Sequence, residues 1–171
     1  MTQKIIIGGT PVQLSASAGA LIHYKKQFRS EYTDDYKALQ NISPSDRIAE
    51  VAGIGMRLLW AMARAADKSL LPFTDWILQF EVSDLAEAIV TAETLFISSL
   101  GTDDKPARNN SGREFTSEDL IASTLACGLS VNDLDDMPLP MVIGIFDEWC
   151  RIKGYKEEEA RPATQEDFDA L

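Results

Sequence analysis

Lys4-Ile5-Ile6-Ile7-Gly8-Gly9-Thr10-Pro11-Val12-Gln13-Leu14 has the pattern of two short strands joined by a tight turn. Two β-rich runs flank a Gly-Gly pair, and a tight hairpin turn needs the positive φ that glycine adopts without steric cost. Pro11 has no backbone donor, so its run suits an edge strand. The reading is a short N-terminal β-hairpin that delivers the chain onto a helix, and the apolar segments that follow it read as helices.

Ser15-Ala16-Ser17-Ala18-Gly19 gives a small-residue start to the first of these. Leu21, Tyr24, Phe28 and Tyr32 then recur at near-helical spacing, with Lys25, Lys26 and Arg29 on the wet side. Ser43-Pro44-Ser45-Asp46 is a helix-start signal, with proline early and an acid near the positive end of the dipole. The helix that follows is expected over residues 46–67. Ile48, Val51, Ala52, Gly55, Leu58, Leu59, Met62 and Ala66 trace one stripe of it, while Ile54 and Trp60 lie outside, so more than one face is covered and this is the central core helix. Leu71-Pro72-Phe73 breaks it. Thr74-Asp75 can cap a short helix carrying Trp76, Ile77 and Phe80. Ser83 or Asp84 starts another, with Leu85, Ile89, Ala92, Phe96 and Leu100 inward and Glu87 placed for a capping box with Asp84.

Residues 1–100 thus form one hairpin-plus-helices unit. Residues 101–114 are polar, contain Gly and Pro, and read as a linker. Residues 115–155 read as a helical C-terminal module. Thr116-Ser117-Glu118-Asp119 begins a helix through Leu120, Ile121, Leu125 and Cys127 that Gly128 ends as a left-handed cap. Residues 130–137 can form a short second helix. Pro138-Leu139-Pro140 separates it from the clearest periodic segment, Val142, Ile145, Phe146, Trp149 and Ile152, which Lys153 and Gly154 close. Residues 156–171, with Glu157-Glu158-Glu159, Asp167 and Asp169, have little to bury and read as an acidic tail. The fold class is mainly α with a small N-terminal β-hairpin, formally α+β.

Composition bounds the function. The 171 residues are 45% hydrophobic and 25% charged, the balance of a globular chain able to bury a core. Sixteen basic against 27 acidic side chains give a net charge of -11, which disfavours nucleic-acid phosphates and anionic membranes. The acidity is concentrated beyond residue 114, where 4 basic side chains face 13 acidic ones. Cys127 and Cys150 are too few for a disulfide framework or a zinc site, no signal peptide is expected, and no apolar run reaches the roughly 18 residues of a membrane span.

No catalytic constellation emerges, and no enzyme activity, cofactor or metal is expected. A single histidine, His23, would have to serve any triad, and it reads as a surface or interhelix residue. Asp133, Asp135 and Asp136 resemble the start of a calcium loop, but Pro138 and Gly144 stand where the loop needs glycine and a bidentate acid. Gly8-Gly9 lacks the rest of a phosphate cradle. Asp34-Asp35 and Asp103-Asp104 read as solvated charges. Leu125-Ala126-Cys127-Gly128-Leu129-Ser130 with Leu134 imitates a helix-turn-helix, yet its second helix would present Asn132, Asp133, Asp135 and Asp136 to DNA.

Several stretches together resemble the tail assembly chaperones of long-tailed bacteriophages that infect Gram-positive hosts. They are the Ile-Ile-Ile-Gly-Gly hairpin, Ser15-Ala16-Ser17-Ala18 leading to Tyr24-Lys25-Lys26-Gln27-Phe28, and Leu58-Leu59-Trp60-Ala61-Met62-Ala63 with Ala66-Asp67-Lys68. Pro72-Phe73, Trp76 and Phe80 complete the pattern. Residues 115–146 are similar to the extension of the longer members, which several phages append by a translational frameshift. The resemblance implies that the N-terminal domain holds the tape measure protein soluble, that the extension recruits tail tube protein, and that the chaperone acts in the host bacterial cytoplasm and leaves the finished tail. It implies protein partners, with room for self-association, and neither nucleic acid nor membrane. The contact residues expected are Leu58, Leu59, Trp60 and Met62 in the first unit and Leu134, Met137, Val142 and Phe146 in the second. The alternative is a helix-turn-helix-like DNA-binding or regulatory adaptor.

Overall fold

A computed structural model describes residues 1–38, 43–100 and 116–155, with the backbone alone for residues 44–47. The expected linker at 101–114 and acidic tail at 156–171 lie outside the described residues. Strands β1 (Thr2–Ile7) and β2 (Thr10–Ser15) are followed by α1 (Ala18–Phe28), α2 (Tyr32–Ala38), α3 (Pro44–Ala66), α4 (Phe73–Ile77), α5 (Val82–Ser99), α6 (Ser117–Ala126), a 3₁₀-helix (Val131–Asp135) and α7 (Leu139–Ile152).

The hairpin closes on Gly8 and Gly9, with φ of 54° and 80°, the two positive values that match the twist of the flanking strands. Its register pairs Ile5 with Val12 and Ile7 with Thr10. Alternation then puts Ile5, Ile7, Val12 and Leu14 on one face. Ile7, Val12 and Leu14 are buried there while Ile6 points to solvent. Pro11 faces Ile6 in a two-stranded sheet, where both strands are edges and a missing donor costs nothing.

α3 is the central element, as its two covered faces imply. It packs on α1, α2, α4, α5 and β2, which explains why Ile54 and Trp60 are buried along with Leu58, Leu59 and Met62. Pro44 stands at the first helical position. Ile48 of the expected stripe is exposed near that end. The Trp60 indole donates to the Leu71 carbonyl at 2.9 Å and Arg64 to the Leu70 carbonyl at 2.8 Å, so the turn after α3 is tied back onto it. Phe28 meets Tyr24, Trp60 and Phe73 edge to face at centroid distances of 5.0, 5.8 and 5.0 Å, the geometry aromatic quadrupoles favour.

Two local readings are corrected. Pro72, not Thr74-Asp75, stands at the N-cap of α4. α5 begins at Val82 with Glu81 as N-cap and no side-chain cap bond, so Asp84 falls inside the first turn and the Asp84–Glu87 box does not form. Asp84 instead interacts with the helix dipole, and Leu100 is exposed beyond the helix.

The residues after 115 are seated on α1. Thr116 and Asp119 start α6 where expected and close a capping box there, and Gly128 and Gly154 carry the left-handed φ values of 80° and 73°. Residues 131–135 form a 3₁₀-helix rather than an α-helix, and Leu139 and Pro140 open α7 instead of standing apart from it. α1 serves both cores. Ala20 and Tyr24 face the first, while Ala18 and Ile22 join Leu120, Leu134 and Val142 in the second. The two pairs have the same i, i+4 spacing on different sides of one helix.

Candidate functional site

α7 has the most regular apolar stripe in the chain, and the fold covers little of it. Val142 alone is fully buried in the second core. Ile145, Phe146 and Trp149 are half-buried, while Met141 is 55% and Ile152 69% exposed. Phe146 stacks on Trp149 at a centroid distance of 6.1 Å, and Trp149 meets Tyr155 at 5.7 Å, so the rings form a fixed ladder along the surface. Beside them runs a groove of about 490 Å³ lined by Cys127, which caps the end of α6, and by Met141, Ile145, Glu148, Trp149 and Ile152. The Arg151 guanidinium grips Glu148 through Nε at 2.8 Å and Nη2 at 2.6 Å, which holds that carboxyl below its ordinary pKa. The site is an open apolar trough with a charged rim.

The expected contact residues are mostly elsewhere. Leu58, Leu59, Trp60 and Met62 fill the first core, and Leu134 and Val142 the second, so these six do not form an accessible surface. Their residue types suit a core as well as an interface, and α3 is surrounded on too many sides to present them. Met137 and Phe146 remain half-buried at the surface. Met141, Trp149 and Ile152, outside the expected set, share the open face of α7 with Phe146. Their signal was available: a stripe from Val142 to Ile152 is longer than a module of this size can cover.

The other charged candidates also acquire structural roles. Asp135 is buried, its carboxylate 2.9 Å from His23 Nε2 and 3.3 Å from Lys68 Nζ. Its backbone carbonyl accepts from Ser15 Oγ at 2.9 Å, and the Ala18 N–H donates to Met137 O at 2.8 Å. Ser117 Oγ donates to Glu31 at 2.6 Å, and Lys25 reaches the same carboxylate at 3.2 Å. This seam fixes the C-terminal module on α1. Asp35 is a correction: it is not a loose surface charge but accepts from Tyr24 at 2.6 Å, from Ser30 and from Arg57 at 3.2 Å. Burial and then the bond to Asp35 push the Tyr24 hydroxyl well above its usual pKa. Asp103-Asp104 lie outside the described residues.

His23 makes the seam sensitive to pH. Burial pulls the imidazole below its ordinary 6.5, with Arg64 and Lys26 acting in the same direction and Asp135 against them. The folded chain therefore binds this proton less readily than the unfolded one. The contribution of neutral His23 is complete above the ordinary value and is lost as pH falls below it. Urea midpoints should fall across about pH 6.5, and His23→Gln should flatten that slope. An unchanged slope in His23→Gln would assign the pH dependence to other groups.

Among the described residues no group of three or more His, Cys, Asp or Glu side chains could hold a metal ion. No described helix is long and apolar enough to cross a membrane. Cys127 and Cys150 are free and half-buried, and burial, followed by the nearby Cys150, raises the Cys127 thiol pKa. Compared with family models, curated proteins and solved structures, the chain matches none.

Proposed function

We propose that this chain is a tail assembly chaperone of a long-tailed phage, which holds the tape measure protein soluble and brings tail tube protein to it in the host cytoplasm. The observation that carries the reading is the open apolar face of α7 on a strongly acidic molecule. A long helical client with an apolar stripe is the ligand such a trough fits, by laying a helix in the groove. The resemblance of the hairpin, Tyr24 to Phe28 and Leu58 to Ala63 stretches names the client.

Magnitudes favour holding over permanent binding. Each large apolar side chain fully covered contributes roughly 1.5–3 kcal/mol, whereas association costs about 4–15 kcal/mol. Met141, Trp149 and Ile152 together supply about 4.5–9 kcal/mol, which barely exceeds the lower cost at one end and falls short of the upper cost at the other, so one copy binds weakly and many copies along one client hold it by multivalency. Weak single contacts let tube subunits displace the chaperone. The net charge of -11 keeps crowded copies apart. The alternative DNA-binding reading gains nothing from the geometry, since Leu134 and Asp135 of the would-be recognition segment are buried.

Co-expression tests the reading. The tape measure protein should be insoluble alone and soluble, in complex, beside this chain; if it stays insoluble and no complex forms, the reading fails. Met141→Ser with Ile152→Ser, both at exposed positions, should leave the folding midpoint nearly unchanged, within about 0.5 kcal/mol per substitution, while most of the tape measure protein returns to the pellet.

A further inference from the structure

α5 bears a second uncovered apolar stripe. Its inward side, Leu85, Ala88, Ile89, Ala92, Leu95 and Phe96, is buried. Val82, Val90 and Ile97 are nevertheless 84, 63 and 62% exposed, and Ala86 is exposed with them. At 100° per residue these four fall within an arc of about 80°, and from Val82 to Ile97 the stripe runs roughly 22 Å. A helix apolar over so much of its circumference has room for a second partner.

Charge indicates what kind. Residues 69–100 contain no Lys or Arg, but they contain Asp75, Glu81, Asp84, Glu87 and Glu93. On the helix Glu93 falls between Val82 and Ala86 in angle, and its carboxylate leans toward α3, where a Cβ on Gly55 would stand 3.2 Å from Oε1, and toward Tyr32. Glu93 is half-buried, burial raises its pKa, and among the described residues it has no hydrogen bond or ion pair. A desolvated carboxylate beside an apolar stripe is stabilised by a cation brought from outside. Two copies meeting α5 to α5 would supply only more acid, so self-docking on this face is disfavoured.

We infer that this face of α5 docks an amphipathic helix of another protein, its apolar stripe laid on Val82, Val90 and Ile97 and a Lys or Arg reaching Glu93. The inference stands on α5 alone and does not rest on the chaperone reading.

The test titrates the full chain with a designed Leu/Lys amphipathic helical peptide of about 18 residues, roughly 27 Å long. A scrambled peptide of equal charge and no stripe is the control. The striped peptide should bind one to one and the scrambled one should not. Val90→Ser with Ile97→Ser should weaken binding more than tenfold, and Glu93→Gln about tenfold, the loss of one charge-assisted contact. Equal binding of the scrambled peptide would reduce the effect to general charge attraction and overturn the inference. So would undiminished binding by the α5 variants, or loss with Trp149→Ser instead, which would put the peptide on α7. A dimer of the chain that Val90→Ser dissociates would make this face a self-interface and overturn it too.

Discussion

Gly19→Ala is expected to unseat the C-terminal module from α1. In an ordinary helix this exchange stabilises by up to about 1 kcal/mol. Here a Cβ on residue 19 would collide with the Asp135 carboxylate and stand 2.8 Å from the backbone N and Cα of Asp135. Backbone on both sides leaves no side chain to swing away. Overpacking costs about 1–3 kcal/mol, and displacing the 3₁₀-helix also breaks the Ser15–Asp135, Ala18–Met137 and His23–Asp135 contacts, each about 0.5–1.5 kcal/mol. The total is about 2.5–7.5 kcal/mol. Hydrogen exchange should show faster exchange at the Ala18 amide and across residues 131–137, with protection retained in α3. A variant more stable than the wild type would mean that the seam is not closed as described.

Trp60→Ala is expected to cost about 3–5 kcal/mol of folding free energy, the usual loss for a buried indole. Trp60 is buried between α1, α3 and α4, touches Phe28 and Phe73, and donates to Leu71. Truncation leaves both a cavity and an unpartnered carbonyl. Urea unfolding of Trp60→Ala beside Ile152→Ser separates core from surface. The first should lose much of its stability and the second almost none. If Trp60→Ala instead kept its midpoint and lost only partner binding, Trp60 would be a contact residue after all.

Much of the fold is legible in local chemistry. Gly8-Gly9 specifies the turn, Pro44 the start of α3, and Thr116 with Asp119 the start of α6, because each acts within a few residues of itself. The breadth of the α3 pattern, with Ile54 and Trp60 outside one stripe, correctly implies a central helix. What the pattern cannot encode is which neighbours arrive. Leu58, Leu59 and Met62 have the residue types of a sticky surface, and only the convergence of α1, α5 and β2 makes them core. Phe146 and Trp149 have the same types, and the second core is too small to cover them. Asp35 looks like a solvated loop acid until Tyr24, Ser30 and Arg57 converge on it. Ala18 and Gly19 read only as a small-residue helix start, yet with Ile22 they are the seat of a module about 100 residues further along the chain.

On the proposed chaperone reading, α7 is the face that meets the client. Hydrogen exchange of the full chain, free and mixed with a phage tape measure protein, separates that outcome from its opposite. The expected result is new protection concentrated in Leu139–Ile152, with the α3 amides equally protected in both states. A soluble complex in which α7 exchanges as fast as in the free chain would contradict it.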